Sequence, residues 1–114
     1  MDELQNLVSV EQKYNEEINS MLEFIRTKEI HLEKLDDIIN CLENDKNVAH
    51  SAGKFQDAAM LANTIGKYEN EEASIEEEIR NMNDDLFKKE LLLFEIQTIF
   101  KELEVNPLKT IQSA

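Results

Sequence analysis

The sequence predicts an all-α protein, a long antiparallel coiled-coil hairpin of two helices that dimerises into a four-helix segment. Apolar residues recur with a seven-residue period through both halves of the 114-residue chain, as the a and d positions of coiled coils do. The two series meet at Gly53, where we expect the chain to fold back. Because aromatic residues are 6% of the chain and tryptophan is absent, burial must come from long helix contacts rather than a compact core.

Helix one is predicted over residues 1–49. Asp2 is expected to be its N-cap, and Glu3 suits the positive end of the helix dipole. Its a and d positions are Leu4, Leu7, Glu11, Tyr14, Ile18, Met21, Ile25, Lys28, Leu32, Leu35, Ile39, Leu42, Lys46 and Ala49. Nearly all of these residues are apolar, so one side of the helix is expected to be buried along its length.

A turn is predicted over residues 50–57 and helix two over 58–105. Pro107 disfavours helical geometry at the residue before it, so residues 106–114 are expected to form a frayed tail. The a and d positions of helix two are Ala58, Leu61, Ile65, Tyr68, Glu72, Ile75, Ile79, Met82, Leu86, Lys89, Leu93, Ile96, Phe100 and Leu103.

The helices are expected to pair so that Ala49 faces Ala58 and each a position faces a d position of the other helix. Every charged residue of the seam then faces an apolar one and can extend its charge to solvent. These pairs are Lys46 with Leu61, Glu72 with Leu35, Lys28 with Ile79, Lys89 with Ile18 and Glu11 with Ile96. A parallel homodimer would stack each charge on its own copy, so we reject it. An antiparallel dimer of unbent helices keeps the same layers and stays open, although Gly53 favours the hairpin.

Charges beside the seam are expected to repel each other in the middle of the hairpin. The expected neighbours are Glu29 with Glu76, Asp36 with Glu69, and His31 with Glu78, of which only the last pair is attractive. Residues 71–78 form the most acidic stretch of the chain. This stretch is either a solvated helix face or a docking site for a basic partner.

Composition limits the classes of partner and the compartment. A net charge of -13 argues against nucleic acid and anionic membranes, because both would repel the chain. The single cysteine, Cys41, falls at an outward c position, which fits a reducing compartment. No apolar run is long enough for a membrane span, and the acidic N-terminal residues do not resemble a secretory signal. We expect a cytoplasmic protein, with the nucleus as the alternative, and no membrane insertion.

No group of residues predicts catalysis, a metal site or a cofactor. A pair of helices offers no pocket of converging groups. His31, Cys41 and His50 lie far apart in the chain, with no metal-ligand spacing among them. The segment 51–54 lacks the second glycine of a phosphate-binding loop. We therefore expect that the protein is not an enzyme and holds neither metal nor cofactor.

A short pattern around the turn adds a family resemblance. The residues concerned are Leu42, Glu43, Ala49, Phe55, Ala58, Ala59, Leu61 and Ile65. Their spacing resembles that of the UVR motif, the helical hairpin of bacterial excision-repair proteins, over about a fifth of the chain. The resemblance implies a hairpin that docks on another protein, often a second such hairpin, without a catalytic role. Small residues and an aromatic that plugs the turn are also what any tight hairpin requires, so convergence stays open.

Apolar residues outside the seam indicate where a partner would bind. Phe87, Leu91 and Phe94 on helix two occupy b and f positions, which face away from helix one. Flanking apolar residues at e and g positions are Leu92, Ile99, Val8, Val10, Leu22 and Phe24. We expect these nine residues to form one contiguous stripe at the open end, distant from the turn.

The predicted function is a dimerisation or adaptor segment of a larger scaffold or tether. It would bind a protein or itself as a homodimer, and the alternative is an architectural spacer or filament component.

Overall fold

Two long helices joined by a tight turn make up the computed structural model of the chain. Helix α1 runs over Asp2–Ser51 and helix α2 over Phe55–Ser113. The structure describes the backbone of residues 2–113 and the side chains of Glu3 and residues 5–103. Within this part the chain contains two helices and no strand, which confirms the all-α class and the two-helix fold. Dimerisation into a four-helix segment stays a prediction.

The seven-residue pattern identifies the buried positions of both helices. The residues with the least exposure all fall at predicted a or d positions: Ile18, Ile25, Leu35, Ile39, Ala49, Ala58, Ile65, Ile75, Leu86 and Ile96. Every other described a or d position is half-buried except Leu103, which is exposed. The side chains of Asp2, the predicted N-cap, and Leu4, in the first seam layer, lie outside the described residues. Burial of one such aliphatic side chain is worth about 1.5 to 3 kcal/mol, so this seam is the main source of stability.

Glycine allows α1 to end and α2 to begin within three residues. Gly53 has a φ of +77°, a left-handed conformation that is strained for any residue with a side chain. The amide of Lys54 donates to the carbonyl of Ala49 (2.9 Å), and the amide of Gly53 donates to the carbonyl of His50 (3.1 Å). These two bonds form a Schellman motif, which satisfies carbonyls at the end of α1. The amide of Ala58 then donates to the carbonyl of Lys54 (3.0 Å), which starts α2 at once.

The connection between the helices is shorter than the predicted turn. Only residues 52–54 lie between the helices, whereas a turn over 50–57 was expected, because the Schellman bonds let both helices extend close to the glycine. Helix α2 spans Phe55–Ser113, and the side chains of the predicted tail over 106–114 lie outside the described residues.

Contacts divide the chain into two compact units. The first, which we call the turn unit, is Phe24–Met82. In it Lys28 reaches Glu78 while the later α1 residue His31 reaches the earlier α2 residue Glu71, so the two helical segments are antiparallel and form a hairpin. The second, which we call the open-end unit, combines the described parts of Met1–Glu23 and Asn83–Ala114. There Lys89 of α2 contacts Glu17 and Tyr14 of α1.

Candidate interaction surface

Three large apolar side chains of α2 point away from α1 in the open-end unit. Phe87, Leu91 and Phe94 are 62%, 49% and 65% exposed, respectively. Spacings of four and three residues place them on one side of the helix. The seam residues Leu86 and Ile96 of the same segment are buried. This row is therefore apolar surface that the pairing of α1 with α2 does not use.

The other predicted surface residues of α2 are exposed as well, but they lie on a different side of the helix. Leu92 follows Phe87 by five residues, which is about 140° around a helix that turns about 100° per residue. The same angle separates Ile99 from Phe94. The two rows flank the buried stripe on opposite sides, so α2 presents two apolar sides in this unit.

Exposed apolar residues of α1 lie beside each of the two apolar sides of α2. Val8 and Leu22 are exposed e positions, and Val10 is an exposed g position. In an antiparallel pair the e positions of one helix lie beside the e and b positions of the other, and g positions lie beside g positions. The phenylalanine face therefore consists of Val8, Leu22, Phe87, Leu91 and Phe94. The leucine face consists of Val10, Leu92 and Ile99. The predicted residues form two faces rather than one contiguous stripe.

The remaining predicted surface residue, Phe24, belongs to the turn unit and has an intramolecular partner. The Lys28 Nζ lies 5.3 Å from the centroid of its ring. Such a cation–π contact is worth about 0.5 to 1 kcal/mol at an exposed site. Phe24 is therefore partly covered within its own unit, and we do not assign it to either face.

A lysine at a seam position links the two helices of the open-end unit. The Lys89 Nζ donates a hydrogen bond to the Glu17 carboxylate and lies 5.3 Å from the centroid of the Tyr14 ring. This hydrogen bond lowers the pKa of the Glu17 carboxyl and raises the pKa of the Lys89 ammonium. Lys89 thus buries part of its stem and extends its charge, as predicted, and it does so toward a specific glutamate on the side of the leucine face.

Charge pairing in the turn unit corrects one predicted pair. The Lys28 Nζ lies 2.9 Å from Glu78 Oε2, and His31 Nε2 lies 3.5 Å from Glu71 Oε1. The predicted pair of His31 with Glu78 is therefore wrong. The reason is reach: the long stem of Lys28 extends from its d position to Glu78, and the shorter imidazole meets the glutamate one heptad earlier on α2.

Glu72 occupies an a position of the seam and meets another carboxyl group. Its hydrogen bond with Asp36 raises the pKa of Glu72 to about 7, and burial contributes in the same direction. The negative charges of Asp36, Glu76 and Glu69 add to the shift. Asp36 was predicted to repel Glu69, and the structure places Glu72 in the same acidic group. Protonation of Glu72 near neutral pH removes one of the negative charges in this group and so reduces the repulsion.

Three further exposed apolar residues near the turn were not predicted as surface residues. Val48, Met60 and Phe55 are 67%, 68% and 63% exposed. The ring of Phe55 makes an edge-on contact with His50, with centroids 5.3 Å apart. Phe55 therefore does not plug the turn. Val48 and Met60 fall at c positions, and this outward heptad position was the signal that could have identified them.

The described residues contain little that indicates chemistry. No group of three or more histidine, cysteine, aspartate or glutamate side chains among them is placed to hold a metal ion. Cys41 is a free, exposed cysteine, in agreement with its predicted outward position. Over the same residues, neither helix contains a stretch apolar and long enough to cross a membrane.

Comparisons with known proteins identify no relative. No protein-family model, no curated protein and no solved structure matches the chain.

Proposed function

We propose that the protein is a non-catalytic coiled-coil module for protein–protein interaction, a dimerisation or adaptor segment that binds through the phenylalanine face. The observation that carries the proposal is the exposure of Phe87 and Phe94 on a helix whose seam residues Leu86 and Ile96 are buried. Isolated exposed apolar residues are common on protein surfaces. Two phenylalanines and a leucine on one side of one helix form a patch that typically marks an interface.

The expected binding energy is sufficient for a reversible complex. Full burial of a phenylalanine or leucine side chain contributes roughly 1.5 to 3 kcal/mol. Three such side chains supply much of the roughly 8 kcal/mol that a micromolar complex requires, before the costs of association. Because the residues recur at helical spacing, a partner helix laid along α2 is the contact that covers them best.

Site-specific photo-crosslinking tests this function. A photoreactive phenylalanine analogue replaces Phe94 in the full chain, and the matched control places it at Phe55, which is equally exposed but lies near the turn. The purified chain and the chain in cell extract are irradiated. We expect a protein adduct from position 94 that is absent from position 55 and is lost when Phe87→Ser is added. No excess of adduct at position 94 in either sample would contradict the proposed function.

A further inference from the structure

We propose that the partner of the phenylalanine face is a second copy of the chain, with the two α2 helices antiparallel about a twofold axis. This inference rests on the proposed function and identifies the partner and its orientation. It follows from the charges at the two ends of the apolar row and from the α1 residues beside it.

The apolar row on α2 is bounded by residues of opposite charge. Continuing the same helical spacing, Asp84 precedes Phe87, and Lys101 ends the row after Thr98. The side chains of Asp84, Thr98 and Lys101 are all exposed. Asp84, Phe87 and Lys101 thus belong to one side of the helix, negative at its start, apolar in its centre and positive at its end.

An antiparallel second copy complements this pattern. When Leu91 packs against Phe94 of the second copy, Phe87 lies against Thr98 of that copy, and Asp84 lies against its Lys101. The twofold axis repeats each contact, so apolar layers occupy the centre and an opposite-charge pair closes each end. An interface of this kind is self-complementary and closes as a dimer.

Other arrangements of two α2 helices are less favourable. A parallel pair places Asp84 against its own copy and Lys101 against its own copy, which stacks like charges at both ends. An antiparallel pair shifted by one heptad places Asp84 against Phe94, which would desolvate a carboxylate against an aromatic ring. The charge distribution therefore selects one register.

The α1 residues on the same face fit the same axis. Val8, Asn15 and Leu22 are e positions seven residues apart. In the predicted pairing, which the contact between Lys89 and Glu17 supports in this unit, the level of Asn15 on α1 corresponds to the centre of the α2 row. The axis therefore brings Val8 opposite Leu22 of the second copy and places the two Asn15 side chains near each other.

Charge exchange tests the register. Asp84→Lys alone and Lys101→Asp alone each create two like-charge pairs across the axis, and we expect each variant to self-associate about tenfold more weakly than the unaltered chain. An equimolar mixture of the two variants restores opposite charges at both ends of a heterodimer. Sedimentation equilibrium at fixed ionic strength should therefore show recovery to within about threefold of the unaltered association constant.

Matched variants separate this effect from net charge. Glu95→Lys and Lys88→Asp make the same changes of charge at exposed c positions, outside the row. We expect each to change association by less than about threefold. Equal weakening by the control variants, full association of either single variant, or failure of the mixture to recover would overturn the inference. Circular dichroism on each variant verifies that its helices are retained.

The two proposals fail in different ways. If the purified chain is monomeric at every concentration while position 94 still forms a specific adduct in extract, the second copy is not the partner and the proposed function stands. If the chain is monomeric and position 94 forms no adduct, both proposals fail.

Discussion

Three of the charged residues at seam positions are accommodated in two ways, according to what lies beside them. Lys28 and Lys89 keep part of their stems in the seam and place their ammonium groups on glutamates. Glu72 instead meets the carboxyl group of Asp36, which raises the pKa of Glu72 to about 7. The stability of the turn unit should therefore depend on pH close to neutrality.

We predict that the free energy of unfolding decreases as the pH rises from 5 to 8, and that Glu72→Gln removes this decrease. The pKa of Glu72 is about 7 in the folded chain and near its ordinary value of 4.5 when unfolded. The folded state therefore holds the proton more tightly, and its advantage is lost as the pH rises through 7. Glutamine does not ionise, so at pH 8 the variant should be more stable by roughly 0.5 to 1 kcal/mol.

Urea unfolding at several pH values measures this effect. Glu77→Gln is the matched control, because Glu77 is exposed at an outward position of the same helix and the substitution removes the same charge. Glu17 does not interfere, since its lowered pKa adds stability that is lost only as the pH falls below the ordinary glutamate range. A wild-type curve that is flat or rises between pH 5 and 8 would contradict this description of Glu72.

At the scale of the helices, the sequence predicts periodic features better than specific partners. The heptads predict the buried positions because burial follows from the angle around a helix, which spacing determines. They do not predict that Glu78 binds Lys28 rather than His31, because that choice depends on side-chain length and rotamer. They also suggested a single stripe, since linear proximity of Phe87 and Leu92 conceals the angle between them.

The length of the turn was predicted less well, for a local reason. Gly53 marks the turn, but only the bonds of Gly53 and Lys54 to α1 carbonyls reveal that the connection is three residues long. The surface residues of the phenylalanine face were predictable from heptad positions alone, whereas their role stays a prediction.

The two glycines should respond in opposite ways to the same substitution. We predict that Gly53→Ala destabilises the chain by about 1 to 2 kcal/mol, because φ of +77° strains a side chain even though the space around it is open. Gly66→Ala should stabilise it by up to about 1 kcal/mol, because Gly66 lies inside α2 with no atom near a new Cβ. Urea unfolding of both variants measures the difference, and a stabilising Gly53→Ala would contradict the observed turn.

For the whole molecule, net charge is the dominant electrostatic property. With a formal charge of -13 and an acidic group around Glu72, the folded chain repels itself at low ionic strength. We predict that the melting temperature rises when salt increases from about 0.01 M to 0.15 M, since the screening length falls from about 30 Å to 8 Å.

Thermal melting followed by circular dichroism at constant protein concentration checks the salt response. Glu76→Gln removes one charge from the acidic group and should reduce the increase. A melting temperature that is constant or falls over this range would show that the attractive pairs at Lys28 and Lys89 outweigh the repulsion.

The mass of the chain in solution, compared with that of a Phe87→Ser/Phe94→Ser variant, tests the central claim most directly. We predict that the unaltered chain sediments at twice its 13.3 kDa and that the variant sediments as a single chain with its helicity retained. The control Val48→Ser/Met60→Ser removes two equally exposed apolar residues near the turn and should remain dimeric. A Phe87→Ser/Phe94→Ser variant that stays dimeric and helical would place the interface elsewhere. A variant that unfolds would show that the phenylalanine face belongs to the intramolecular core.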